Sequence, residues 1–275
     1  MDIWMDAFGD SMKLLPFLLI TYVFIEWYEH VSNPNLYTRL ISLRRFGPLF
    51  GALIGCIPQC GFSVMAASLF GERVISAGTL VAVFISTSDE ALPILIGHPE
   101  ALDTLGYILL LKVGIAILAG YLIDRFWETS LASKQITAMG CQCSEAHESI
   151  WLAAIKHTAT IFLFLFVINL GLSFVIDMIG TNALSSLLLS GSLLQPIMAA
   201  VIGFLPNCAA SVLLTQLYLI NSISFGSLLA GLISSAGIGI LMLFKGNPRF
   251  QENMRILLLV FLIASVSGVF FQLMG

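Results

Sequence analysis

Two short stretches decide the architecture: GCIPQCGFSV at Gly55–Val64 and GFLPNCAASV at Gly203–Val212. They stand 148 residues apart, and the offset runs without a gap from Pro48/Pro196 to Gly120/Gly268. Matched pairs along it include Gly55/Gly203, Pro58/Pro206, Cys60/Cys208, Ser63/Ser211, Gly78/Gly226, Ala82/Ala230 and Ser86/Ser234. Shared apolar composition produces scattered matches, not a register that keeps glycine, proline, cysteine and serine together. Self-similarity at one fixed offset marks an internal duplication. The chain reads as two homologous halves, residues 1–126 and 151–275, joined by a polar linker, residues 127–150.

Composition says where such a chain lives. Of its 275 residues, 58% are hydrophobic and only 10% charged, with mean hydropathy +0.97. Soluble domains carry about 25% charged residues, so a water-soluble domain is excluded. A membrane helix needs about 20 apolar residues, which leaves little length for a catalytic or nucleic-acid-binding domain. No phosphate-binding GxxxxGK[ST] or dinucleotide GxGxxG motif is present in a strand–turn–helix context. His30, His98, His147 and His157 fall at predicted membrane edges or in loops, away from any activated Ser or Cys. No enzyme activity, no cofactor and no nucleic-acid partner are expected. Asp2, Asp6 and Asp10 stand where a cleavable signal wants positive charge, so the run Leu14–Trp27 is expected to stay as a first membrane helix. Five cysteines without disulfide spacing are expected as free thiols.

Each half repeats one order of elements. A helix (about 11–29; about 151–176) precedes an apolar stretch broken by Pro-x-Cys (about 48–70; about 196–218). A long helix (about 74–96; about 222–244) and a closing helix (about 104–125; about 252–273) follow. The pieces flanking Pro58 are each too short to span alone, which leaves one broken spanning helix or a re-entrant hairpin. Charge sidedness chooses the hairpin. With it, Arg39, Arg44, Arg45, Arg73, Arg125, Lys134, Lys156, Lys245, Arg249 and Arg255 share one face, while Asp2, Asp6, Asp10, Glu100, Asp103 and Asp177 take the other. The positive-inside rule makes the basic face cytoplasmic. The expected fold is an all-α polytopic membrane protein of two inverted-topology repeats. Each repeat has three spanning helices plus a Pro-broken re-entrant helical hairpin, ten helical elements in all. The protein is expected as a multi-pass protein of the cytoplasmic (inner) membrane, with the linker cytoplasmic and both termini outside.

An odd number of crossings per half brings the two hairpin tips together near the midplane, the layout in which secondary transporters hold substrate. Pro58, Gln59 and Cys60 form one expected tip; Pro206, Asn207 and Cys208 form the other. Thiolates suit soft ions, and the amides offer carbonyl oxygens to a cation or N–H groups to an anion. Cys56 is a secondary thiol candidate, with packing as its plain alternative. Asp89 and Glu90, in Ser86-Thr87-Ser88-Asp89-Glu90, stand at membrane depth, where a carboxylate marks a functional site by default. They are candidates for metal ligand and for proton carrier, with Lys112 as counter-charge. Ser86, Thr87, Ser234 and Ser235 either line the site or bond back to the preceding turn. In the linker, Cys141, Cys143 and His147 form a metal-capture tract or a solvated loop.

The runs GCIPQCGFS, STSDEALPIL and GFLPNCAAS resemble the ten-transmembrane heavy-metal exporter family, whose members carry labels as manganese transporters or arsenic efflux proteins. The Pro-x-Cys-Gly run is similar, more distantly, to permeases that export organic arsenicals. The resemblance covers nearly the whole chain and implies a secondary transporter exporting a metal or metalloid by alternating access. The cysteines favour arsenite; Asp89, Glu90 and the amides favour Mn(II) or another divalent cation. A permease for a small organic or anionic solute is the alternative. The expected partners are the lipid bilayer, the metal or metalloid ion and coupling protons, with a homodimer left open.

Overall fold

The computed structural model describes residues 46–57, 61–87, 91–98, 102–127 and 194–274 apart from 207, with isolated positions near 19–23, 155–167 and at 100 and 192. The first helix of each half and the linker 127–150 therefore lie outside the described residues, or nearly so. Among the described residues the structure is helical, without strands. The helices are α1 (Gly47–Gly55), α2 (Gly61–Gly71), α3 (Ala77–Ser86), α4 (Ala91–Ile96) and α5 (Leu102–Phe126), then α6 (Gln195–Gly203), α7 (Cys208–Leu219), α8 (Phe225–Ser234), α9 (Gly239–Gly246) and α10 (Phe250–Met274).

The 148-residue offset of the sequence recurs in these bounds: α1, α3 and α5 reappear as α6, α8 and α10 with both ends displaced by that number. Local chemistry recurs with them. Pro48 and Pro196 open α1 and α6, where a missing N–H costs nothing. Ser76 and Ser224 cap α3 and α8 from extended backbone, each accepting the amide proton three residues on. Arg73 and Asn221, in the links before those caps, both take positive φ.

Packing recurs as well. Gly78 lies on the Gly120 carbonyl and Gly226 on that of Gly268, so close that an added Cβ would sit 2.1 and 2.3 Å from the oxygen. These contacts press α3 onto α5 and α8 onto α10, antiparallel. Gly47 meets Thr79 while Gly55 meets Ser86, so α1 runs beside α3 in the same direction. In the other set, Gln195 bonds Ser227 and Gly203 meets Ser234, so α6 accompanies α8 likewise. The two sets interlock: Gly239 abuts Ser63 and Gly71 abuts Gly246, which lays α9 parallel to α2. One apolar cluster, with Phe70, Phe84, Leu243 and Ile256 in it, runs through both sets.

Among the described residues, three stretches are long and apolar enough to cross a membrane: Asp103–Phe126, Phe225–Gly246 and Phe250–Met274. The central one is 89% buried and the other two 33% and 28%, so α8–α9 form the interior and α5 and α10 the flanks. Leu110, Leu118 and Leu122 on α5, with Leu258, Val266 and Phe270 on α10, face outward. Such a broad apolar exterior suits lipid rather than water.

One expectation is corrected. The stretches at about 74–96 and 222–244 are not continuous helices. The first ends at Ser86, with Thr87 at φ −53°, ψ 126°, and resumes at Ala91. The second ends at Ser234 and resumes at Gly239, with Gly237 at φ 55°. Both breaks fall at hydroxyl pairs, whose side chains offer the freed backbone alternative hydrogen bonds.

Candidate functional site

Each Pro-x-Cys segment starts beside one of these breaks. A Cβ on Gly55 would lie 2.0 Å from the Ser86 hydroxyl oxygen, and one on Gly203 would lie 2.2 Å from that of Ser234. Only glycine lets the ends of α1 and α6 reach the ends of α3 and α8 this closely. Gly55 and Gly203, which lead into the two expected tips, are thereby neighbours of the hydroxyl pairs in both sets.

The hydroxyls divide. Ser86 Oγ donates to the carbonyls of Ala82 (2.8 Å) and Val83 (3.1 Å), and Thr87 Oγ1 to that of Val83 (2.7 Å). Ser234 Oγ donates to Gly231 at 3.0 Å. These three satisfy the preceding turn, as hydroxyls in membrane helices commonly do. Ser235 does not: the residue is 3% exposed, and its hydroxyl has no hydrogen-bond partner among the described residues. A buried hydroxyl left unpaired costs about 1–3 kcal/mol, so this oxygen is available to something that enters the break.

Lys112 comes from α5 into the middle of this region. Its side chain is fully buried, and its ammonium donates to the carbonyl of Thr87 and, at 2.8 Å, to that of Leu232. The lysine thus ties the end of α3 to the end of α8. Cys56, a half-buried free thiol just past α1, lies within electrostatic reach of the Lys112 charge. The expected counter-charge is therefore central, and backbone carbonyls of both sets are partners the sequence did not announce.

Most of the remaining expected site residues are not described. Pro58, Gln59, Cys60, Asp89, Glu90, Asn207, Cys141, Cys143 and His147 lie outside the described residues; Pro206 precedes that gap, and Cys208 opens α7. Position alone puts Asp89 and Glu90 between α3 and α4, directly after the break at Thr87.

A second polar cluster escaped sequence reasoning. Arg73 grips Glu252 with both guanidinium nitrogens, at 2.8 and 2.6 Å, and donates to Asn247 at 3.2 Å. Asn247 donates to Glu252 (3.0 Å) and to Asn253 (2.7 Å). The pair spans 179 residues and links the turn after α2 to the start of α10. On the opposite side, where α5 begins, Thr104 and Tyr218 make a 3.4 Å hydroxyl contact. Among the described residues, Arg73, Arg125, Lys245, Arg249 and Arg255 sit at the Arg73 end together with Glu72, Asp124 and Glu252, and Glu100 and Asp103 sit at the other.

Interrupted helices meeting around buried polar groups inside an apolar, lipid-suited exterior define a polytopic helical membrane protein of the transporter class. The chain belongs to the family described as "Putative, 10TM heavy-metal exporter", whose model matches residues 2–180 and 165–275. No curated protein and no solved structure matches the chain.

Proposed function

We propose that the protein is a secondary transporter that exports a metal or metalloid ion, Mn(II) or another divalent cation or arsenite, by alternating access. The observation that carries this reading is the meeting of two repeat-related helix breaks, at Ser86–Thr87 and Ser234–Ser235, around one buried lysine. In it the chain is two inverted repeats. Support comes from direction: α3 leaves the Arg73 end toward the interior, whereas α9 arrives at that end beside α2. The segments α3–α4 and α8–α9 therefore run oppositely. Each Pro-x-Cys stretch is a re-entrant hairpin. Here the support is that α1 starts beside the start of α3, while α2 leads back to that same start through residues 72–76.

Substrate sits between the tips, contacted by Gln59, Cys60, Asn207, Cys208 and the Ser235 hydroxyl. Asp89 and Glu90, following the break, bind the cation or carry the coupling proton. The basic Arg73 end faces the cytoplasm under the positive-inside rule. Elemental analysis of sensitised cells expressing the protein, across Mn, Fe, Zn, Cu and arsenic, tests the reading. Selective depletion of one element, lost in Asp89→Asn/Glu90→Gln, is expected. No depletion of any element overturns it in favour of an organic or anionic solute permease.

A further inference from the structure

Lys112 marks a site of its own. An ammonium at membrane depth is costly unless polar groups meet it, and here carbonyls from two separate helices do. Thr87 closes α3, and its carbonyl oxygen accepts one hydrogen bond from the ammonium. Leu232 lies in the last turn of α8, where carbonyls lack an intrahelical partner, and its oxygen takes another at 2.8 Å. Each helix C-terminus carries partial negative charge, so two ends converging on one point favour a cation there. Broken membrane helices offer such ends to dissolved cations during transport. Val260 stands at the matching position of α10 and is as buried as Lys112, so one lysine serves the ends of both helices.

We propose that Lys112 is a built-in cation: its ammonium fills a monovalent-cation site to which the C-terminal ends of α3 and α8 each give a carbonyl, so this site takes no dissolved sodium or potassium ion. Its part in transport rests on the exporter reading; the existence of the site does not. Shortening the side chain to Lys112→Ala empties the site and leaves both carbonyls facing a cavity that sodium or a small alkylammonium can enter. Lys112→Met keeps the stem, loses the charge and leaves no such room.

The test uses the purified full chain in detergent, with melting measured in choline, sodium and ethylammonium chloride at equal ionic strength. The parent and Lys112→Met are expected to melt alike in all three salts. Lys112→Ala is expected to melt lower in choline and to recover by about 3 °C or more in sodium or ethylammonium. A Lys112→Ala protein with one melting temperature in every salt overturns the proposal. If that variant does not fold, the parent decides: melting that rises in sodium over choline shows a dissolved ion bound and overturns it. Metal flux is a separate readout. A parent that moves no metal defeats the exporter reading and leaves the melting result to judge the lysine, whereas Lys112→Met transporting like the parent defeats the lysine's role alone.

Discussion

Replacing Gly78 with alanine tests how tightly α3 must lie on α5. The new Cβ would stand 2.1 Å from the Gly120 carbonyl oxygen and 2.5 Å from the Asp124 carboxylate. The helices must part by about 1 Å before that contact clears the 3.0 Å floor seen for real Cβ atoms. A shift of that size stretches two bonds that anchor the start of α3, Ser76 Oγ to Asp124 at 2.7 Å and Gly78 N to Asp124 at 2.9 Å. Overpacking costs about 1–3 kcal/mol, and hydrogen bonds to a charged group are worth about 1.5–3 kcal/mol each. Allowing for partial relaxation, Gly78→Ala should destabilise by about 3–5 kcal/mol. It should also shift Lys112, on α5 with Gly120, away from Thr87. Gly226→Ala is the internal control. Its Cβ would meet Gly268 at 2.3 Å, but Gln272 replaces the carboxylate, so overpacking alone, about 1–3 kcal/mol, is expected. Melting in detergent, followed by tryptophan fluorescence and size exclusion, reads both. A Gly78→Ala protein within 1 kcal/mol of the parent, or one harmed less than Gly226→Ala, refutes the reasoning.

Three further outcomes follow from the same geometry. Arg73→Gln and Glu252→Gln should each destabilise by about 1–3 kcal/mol, with the double variant costing clearly less than their sum, because the two side chains share a bidentate pair; strict additivity in a melting-based double-mutant cycle counts against that lock. Ser235→Ala removes a hydroxyl with no hydrogen-bond partner among the described residues, so stability should hold or rise by about 1 kcal/mol while metal flux falls; a loss of stability would show the hydroxyl has a partner. Ser224→Ala should cost about 1 kcal/mol as a lost cap, and Ser76→Ala more, since Ser76 also donates to Asp124.

Much of this arrangement was legible in the sequence because the duplication is gapless. Once Pro58 aligns with Pro206, the bounds of α1, α2, α6 and α7 follow from where proline and the small tip residues interrupt an apolar run. The breaks at Thr87 and Ser235 were not legible. Residues 222–244 contain no proline, and an all-round apolar pattern looks the same for a whole buried helix and a broken one. The available signal was Ser234-Ser235-Ala236-Gly237, small residues and hydroxyls in succession, ending on the glycine that takes positive φ. Lys112 was recognisable from the sequence as a charge at membrane depth. Its bonds to carbonyls of two helices depend on how α5 crosses the break. Arg73 and Glu252 lie 179 residues apart, on segments that polarity alone assigns to solvent, and only the interlocking of α2 with α9 and α10 brings them together.

The most direct test of one cation path between two broken-helix sets is metal flux into liposomes holding the purified full chain and a metal-sensitive dye. Saturable, protein-dependent influx of one ion among Mn(II), Zn(II) and arsenite is expected, abolished in Asp89→Asn/Glu90→Gln and reduced in Ser235→Ala. Influx of none of them, or influx untouched by both sets of substitutions, contradicts a transport site at the helix breaks.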